Sequence, residues 1–166
     1  MSHVHGFPPV CGSHPHTLIL GSMPGRESIA RQRYYAHPRN SFWPILAEVL
    51  GIDARDYQGR TDDVMLKGFA IWDVLQACFR RSSLDSDIDD GSIVSNDFKS
   101  FYQQYPRIKR VFFNGAKAES MYLKYVLPGL RDLHSGISMQ RLPSTSPAHA
   151  SMTVAEKCHA WKIIAI

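Results

Sequence analysis

The chain has 166 residues, of which 44% are hydrophobic, and 19 Lys and Arg against 15 Asp and Glu give it a formal net charge of +4. This length favours a single domain over residues 1–166, in which we expect residues 1–16 to be partly flexible. We find no apolar run near the roughly 18 residues that span a bilayer and no export-signal pattern, so we expect a cytoplasmic protein without a membrane partner. The mild positive charge permits nucleic-acid binding without requiring it.

The first regular elements are a strand and a helix. Residues 17–20 form a short apolar run that is typical of a buried strand. Residues 41–50 predict a helix, with Asn40 or Ser41 as the N-cap and Gly51 just after its end.

The middle of the chain continues with a short helix that begins at Thr61 and leads into a second strand over residues 69–72. Residues 73–95 are polar, and we expect them to be irregular. Residues 96–105 predict a helix that ends before Pro106, because proline cannot continue a helix without losing a hydrogen bond.

The last third predicts two strands and two helices. The third strand lies in residues 108–115 and is followed by a helix over about 116–126 that stops at Pro128. Residues 137–142 are a weaker fourth strand, and residues 152–165 predict a closing helix. Alternation of strands and helices indicates an α/β fold with a parallel sheet covered on both faces.

Chemically informative residues follow each predicted strand. These are the segment 21–25 after the first strand, Asp73 after the second, Asn114 after the third and residues 143–150 after the fourth. Because ligands of open parallel sheets bind beyond the carboxyl ends of the strands, we expect these segments to form one site.

The segment 21–43, GSMPGRESIARQRYYAHPRNSFW, has an unusual composition for a turn. It contains four Arg against one Glu, together with two adjacent Tyr. Cations interleaved with aromatic rings are typical of surfaces that contact phosphates and stack on bases. A solvated loop with its arginines in water is the open alternative on composition alone.

Five motifs, in order and spacing, resemble the uracil-DNA glycosylase superfamily, and most closely its hypoxanthine-DNA glycosylase (DNA-deoxyinosine glycosylase) branch. They are LILGSMPG, YYAHPRNSFW, GFAIWDVL, VFFNGAKA and LPSTSPAHA, within roughly residues 6–160. The resemblance implies a three-layer α/β/α sandwich on a four-stranded parallel sheet. It also implies a DNA substrate that contains deaminated bases.

Two departures from better-known relatives bear on the chemistry. Mismatch-specific uracil glycosylases carry Gly-x-Asn-Pro-Gly in the first motif, with the Asn positioning water, and this chain has no Asn in GSMPG. The classical uracil enzymes carry His-Pro-Ser in the last motif, whereas Leu142 precedes Pro143 here. The hypoxanthine branch is thought to use the Asn of its HPRN-FW segment, which implies Asn40 as the principal catalytic residue.

Asp73 is the second catalytic candidate, because a carboxylate directly after an apolar strand can act as a general base if burial raises its pKa. A structural role is open for both residues, since Asn40 can cap a helix and Asp73 can bond loop amides. His149 is a further group that could approach the leaving base.

The remaining site residues follow from the same motifs. Asn114 can donate to O6 and accept from N1–H of hypoxanthine, or act as a turn residue before a glycine. One tyrosine of the adjacent pair is expected to flank the base and the other to pack. Base contacts are expected from Gly21, Ser22, Met23, Tyr35, Phe42 and Asn114. DNA contacts are expected from Pro24, Gly25, Arg39, Ser144, Thr145 and Ser146.

We expect hydrolysis of the N-glycosidic bond of a base that is flipped out of the duplex. No lysine lies in a recognisable nucleophile motif, which predicts a monofunctional enzyme that leaves an abasic site. We expect no metal, because the three Cys are far apart and the N-terminal His spacing fits no usual zinc pattern. We also expect no cofactor and no obligatory protein partner.

Three alternatives remain open on sequence. A uracil-directed glycosylase and a non-catalytic damage-binding module would share the same fold. A serine hydrolase using Ser22 or Ser144 is disfavoured, because neither serine lies in a GxSxG elbow.

Overall fold

The structure is a computed structural model that describes residues 2–53 and 55–166. Its strands are β1 Ser2–His5, β2 Thr17–Gly21, β3 Phe69–Asp73, β4 Leu75–Arg80, β5 Val94–Ser95, β6 Arg110–Asn114 and β7 Ser138–Leu142. Its α-helices are α1 Arg26–Arg31, α2 Phe42–Leu50, α3 Tyr57–Leu66, α4 Phe98–Gln104, α5 Ala116–Met121, α6 Leu127–Leu130 and α7 Val154–Trp161.

The central sheet is parallel, with four strands among the described residues in the order β3-β2-β6-β7. All five residues of β2 are buried, as expected for a central strand that is covered on both faces. The register sets Gly21 opposite Asp73 and Asn114 opposite Leu142. The carboxyl ends of all four strands therefore meet along one edge.

Helices cover both faces of this sheet. The chain moves from β2 to β3 in one direction and from β6 to β7 in the other, so right-handed crossovers put the intervening helices on opposite faces. On one face Phe42 of α2 packs edge-on against Trp161 of α7, and on the other Phe98 of α4 packs edge-on against Tyr122. The three-layer α/β/α sandwich with a four-stranded parallel sheet is confirmed.

A second, antiparallel sheet was not expected. The strand β4 pairs with β1 and with β5, so the prediction of irregular structure over residues 73–95 is wrong for Leu75–Arg80 and Val94–Ser95, and Asp73 itself ends β3. The N-terminal segment also forms a strand where we expected flexibility. Val10 bridges Ile71 through two backbone hydrogen bonds of 2.8 and 2.9 Å, which covers the outer edge of β3.

The predicted helices are present, with shifted boundaries. Helix α2 ends at Gly51 in the left-handed region, as its sequence predicted, while α3 begins four residues before Thr61. The helix after β6 does not stop at Pro128: a π-helical turn joins α5 to α6, and Pro128 lies at the start of α6, just after that turn. A short helix, α1, was missed altogether.

Candidate active site

A cavity of about 810 Å³ opens at the carboxyl edge of the parallel sheet. This volume lies within the range of about 300–1,000 Å³ that is usual for small-molecule sites. Of the predicted site residues, the cavity is lined by Gly21, Ser22, Met23, Pro24, Gly25, Tyr35, Arg39, Asn40, Asp73, Asn114, Ser144, Thr145 and Ser146. The segments that leave the four strands therefore converge as their order predicted.

The turn after β2 is held by hydrogen bonds from the end of β3 and from β4. Backbone N–H groups of Val74 and Leu75 donate to the carbonyls of Gly21 and Ser22 at 2.8 and 3.1 Å. The buried Arg80 donates to the carbonyl of Pro24 at 2.6 Å, while its Nε and Nη1 have no partner among the described residues. The first motif is thus fixed by β4, a strand that the sequence did not reveal.

Asp73 ends β3 with its carboxyl group inside the cavity wall. The residue is 4% exposed, and its Oδ2 is buried without a hydrogen-bond partner among the described residues. Burial, and to a lesser degree the charge of Asp85, raises the pKa of Asp73 to about 7, against an opposing effect of Arg80. Such a group changes protonation state near neutral pH.

Asn40 lies on the cavity wall just before α2. Its Oδ1 accepts a hydrogen bond from the backbone N–H of Phe42 at 3.0 Å, so the side chain supports the start of the helix. An amide oxygen has a second acceptor position, and the Nδ2 group makes no hydrogen bond within residues 2–53 and 55–166. Helix support and contact with a ligand are therefore compatible in one side chain.

The two adjacent tyrosines have different environments. Tyr34 is buried, and its hydroxyl donates to the carbonyl of Pro8 at 2.8 Å. The ring of Tyr35 stacks on Phe42, with centroids 3.8 Å apart, and its backbone has a φ of 56°. Positive φ is strained for a non-glycine residue and is concentrated at functional sites.

Phe42 requires a correction. Its side chain is fully buried and does not line the cavity. The ring supports Tyr35 from behind instead of offering a face to a base. Sequence alone did not separate these roles, because either aromatic ring of the second motif could have faced the cavity.

Asn114 is bound to the loop that follows β7. Its Oδ1 accepts from the N–H of Thr145 and its Nδ2 donates to the Thr145 hydroxyl, both at 2.9 Å. One hydrogen of the amide nitrogen and one acceptor position of the oxygen are left for a ligand. The amide therefore connects β6 to the loop and retains part of its predicted capacity to bind a base.

Thr145 also departs from its predicted role. It is 1% exposed, and its carbonyl accepts both the N–H and the hydroxyl of Ser41 at 3.0 and 3.2 Å. Thr145 therefore joins the loop to α2 and does not present a hydroxyl to DNA phosphate. Ser144 and Ser146, on either side, are partly exposed and keep that possibility.

Helix α7 fixes the other side of this loop. Trp161 Nε1 donates to the carbonyl of Pro143 at 2.9 Å, and Lys157 Nζ donates to the carbonyl of Ser146 at 3.2 Å. A loop held at both ends presents its outer residues in a defined geometry.

Several cavity residues were not selected from the sequence. Asp85 accepts a hydrogen bond from the Ser22 hydroxyl at 2.6 Å, and burial raises the pKa of its carboxyl group. It lies in the polar stretch 73–95, where no sequence pattern marks it. Lys117 lies in the first turn of α5, shortly after the end of β6, so a search of the segments that follow strands could have found it. His149, in contrast, was named above as a group that could approach the leaving base; it lines the cavity, and its Nε2 is buried without a partner among the described residues.

Within the described part of the chain, no group of three or more His, Cys, Asp or Glu side chains is arranged to hold a metal ion. None of the helices in that part is long and apolar enough to cross a membrane.

Known proteins resemble this chain over most of its length. A hypoxanthine DNA glycosylase of Methanosarcina barkeri (strain Fusaro / DSM 804) is 39% identical over 115 residues, which cover 68% of this chain and 72% of that protein. A hypoxanthine DNA glycosylase of Methanosarcina acetivorans is 36% identical over 146 residues, which cover 87% of each chain.

A solved structure agrees with the fold. The solution NMR structure of a candidate uracil DNA glycosylase from Methanosarcina acetivorans has a TM-score of 0.77 and 32% sequence identity, covering 98% of this chain and 99% of that one. The sequence profile of the uracil DNA glycosylase superfamily matches residues 8–165. The chain therefore belongs to the uracil DNA glycosylase superfamily.

Proposed function

We propose that this protein is a monofunctional DNA glycosylase that releases hypoxanthine from deoxyinosine in DNA and leaves an abasic site. The observation that carries the proposal is the convergence of four strand-end segments on one cavity, with Asn40, Asp73 and Asn114 on its wall. Two relatives named hypoxanthine DNA glycosylase, at 39% and 36% identity, support the choice of base.

The substrate must leave the duplex before it reaches this cavity. Rotating a nucleotide out of the stack costs a few kcal/mol, and the cost is lowest for a base that pairs weakly. The partly exposed Ser144 and Ser146 and the exposed Arg39 lie at the cavity and are suited to hold the DNA backbone. The weak pairing of a deaminated base therefore adds to the selectivity of the pocket.

Asn40 is the group that we assign to the attacking water. Its Oδ1 is held by the Phe42 N–H, and the remaining acceptor position and the Nδ2 hydrogens can orient a water molecule at the sugar carbon. An amide is a weak base, so its contribution is positioning. Asp73 is the second catalytic group, and Asn114 contacts the base edge through its unused hydrogen-bonding positions.

The test is a single-turnover assay on a duplex that contains one deoxyinosine. The wild-type protein should release free hypoxanthine, and the strand should break only after alkali treatment. Asn40→Ala should slow release by about 10²-fold or more while DNA binding, measured by fluorescence anisotropy, is retained. Intact substrate across several opposing bases and salt concentrations would refute the proposal.

Asn40→Asp separates capping from chemistry, because an aspartate still accepts from the Phe42 N–H. If Asn40 only supports the helix, Asn40→Asp will match the wild type, and Asn40→Ala will lose thermal stability without a lower rate constant. The same assay with a deoxyuridine duplex decides between a hypoxanthine and a uracil enzyme. Binding without release of either base would indicate a damage-binding module.

A further inference from the structure

The hydroxyl of Tyr35 lies in the wall of the cavity, close to the side chain of Asn114. Its Oη is buried and makes no hydrogen bond within residues 2–53 and 55–166. The ring is held against Phe42 and the backbone has a φ of 56°, so the hydroxyl is fixed at an energetic cost. A buried donor left unbonded is unfavourable, and a ligand that accepts from it would recover that cost.

The Tyr35 hydroxyl lies against the backbone of Gly21, on the side where any other residue would carry its Cβ atom. A Cβ atom built on Gly21 would lie 2.8 Å from Tyr35 Oη and 2.5 Å from Asp73 Oδ1. Both oxygens therefore occupy the space that a side chain at position 21 would take, so they lie close to each other against the Gly21 backbone. The Gly21 residue itself lines the cavity.

The protonation states suit a pair of donors. Burial, and then the charge of Asp73, raises the pKa of Tyr35 far above its ordinary value against an opposing effect of the Asn114 side chain, so its hydroxyl remains protonated. The pKa of Asp73 is raised to about 7, so its carboxyl group is protonated for much of the time at neutral pH. A carboxylic acid kept neutral beside a tyrosine can donate a hydrogen bond to a developing oxyanion.

We propose that Tyr35 Oη and the protonated carboxyl group of Asp73 donate hydrogen bonds to the carbonyl oxygen of the departing base. This inference rests on the proposed function, since it concerns the same cavity. It gives Tyr35 a role through its hydroxyl and not through its ring face. It also makes Asp73 a donor to the leaving group, in contrast to the general base that the sequence suggested.

Hydrolysis of the N-glycosidic bond develops negative charge on the departing base, where hydrogen-bond donors can stabilise it. The bond between the sugar C1′ and the base nitrogen breaks with its electron pair on the base, and part of that charge moves to the carbonyl oxygen. The water oxygen forms the new bond to C1′, and the proton it gives up balances the one that the base takes up. Donors aimed at the developing charge stabilise the transition state more than the ground state.

Charged neighbours of the pair set the pH dependence. Asp85 opposes ionisation of Asp73, whereas Arg80 favours it, and Tyr34 and Tyr35 are titratable groups of the facing segment that interact with Asp73. A donor carboxyl group must be protonated, so the rate constant for base release should fall as pH rises above about 7. A general base at the same position would make the rate constant rise across that range.

The experiment measures single-turnover release from a deoxyinosine duplex between pH 5 and 9. Tyr35→Phe should lower the rate constant by about 10²-fold, the usual loss for one oxyanion donor, with little change in DNA affinity. Asp73→Asn supplies a permanent amide donor, so it should retain measurable activity and lose the fall in rate above pH 7.

Tyr34→Phe is the matched control, because its hydroxyl donates to Pro8 and not toward Gly21. It should lower stability without changing the rate constant or the pH profile. His149→Ala tests the other unbonded group on the cavity wall. If His149→Ala slows release and Tyr35→Phe does not, or if the wild-type rate rises through pH 7 and Asp73→Asn is inactive, the donor pair is refuted. Absence of any wild-type release would instead refute the proposed function.

Discussion

The two ends of the parallel sheet satisfy their polar groups very differently. At the amino ends, His16 contacts the Thr17 hydroxyl at 2.7 Å and the Lys67 carbonyl at 3.0 Å, and Arg110 donates to three carbonyls of the C-terminal segment. At the carboxyl ends, Tyr35 Oη and Asp73 Oδ2 are buried without partners among the described residues.

This contrast indicates which end is completed by a ligand. Buried polar groups in folded proteins are nearly always hydrogen-bonded, so the unbonded atoms of Tyr35, Asp73 and His149 at one cavity need an explanation. Outside the cavity, His134 Nδ1 in the segment before β7 is also buried and unbonded among the described residues. Raised pKa values at Asp73 and Asp85 fall at the same end. The amino end serves stability, and the carboxyl end retains unfavourable groups that a substrate can satisfy.

We expect the largest effect on base release from Gly21→Ala at the cavity. Gly68→Ala, near the amino ends of the strands, is the comparison. Gly21→Ala places a methyl group against Tyr35 and Asp73, so base release should fall by about 10³-fold or more, since two donors are blocked. Gly68 has a φ of 83°, and a Cβ there would overlap the ring of His16.

Gly68→Ala should therefore lower the free energy of unfolding by about 1–3 kcal/mol, as measured by urea denaturation, because the residue is strained. The rate constant of the folded fraction should not change. Equal losses of catalysis in both variants would contradict the division between the two ends.

Removing the buried carboxyl group should stabilise the fold at alkaline pH. The pKa of Asp73 is raised from 3.8 to about 7 in the folded state, so the unfolding free energy declines as pH rises between these values and stays low above pH 7. Asp73→Asn should remove this decline, with a gain of up to about 4 kcal/mol at pH 8 and little gain at pH 4. Parallel pH–stability curves for the two proteins would show that the carboxyl group is not buried in this way.

The smallest effect is expected at the cavity mouth. Arg39 is exposed, and Arg39→Ala should weaken DNA binding a few-fold and reduce the slope of log affinity against log salt by about 1. The rate constant at saturating enzyme should be unchanged. An unchanged slope of log affinity against log salt would show that Arg39 does not contact the DNA backbone.

The sequence predicted the parallel sheet because its strands are short apolar runs between helices. The strand Leu75–Arg80 was missed because it includes Gln76 and a buried Arg80, so neither apolar continuity nor clean alternation marks it. The strand Ser2–His5 contains a single apolar residue. Such strands form through tertiary pairing, which local pattern does not encode.

The position of the site could also be predicted from the sequence, whereas the roles of individual side chains could not. Residues after strand ends do line the cavity, since that rule follows from topology. Whether Phe42 or Tyr35 reaches the cavity depends on how α2 packs against Trp161. Asp85 depends on a turn that has no apolar pattern, so nothing in the sequence singled it out.

The hydrogen bonds from Ser41 to Thr145 connect the loop after β7 to the segment that carries Asn40. They join residues 104 apart in the chain, and one of the two partners adjoins Asn40 while the other lies in the loop suited to the DNA backbone. Under the proposed function, a shift of that loop on binding a duplex would be transmitted to the segment that carries Asn40. Binding of the DNA backbone by the loop and positioning of the attacking water would then be coupled. A poorly bound strand would also misplace the water.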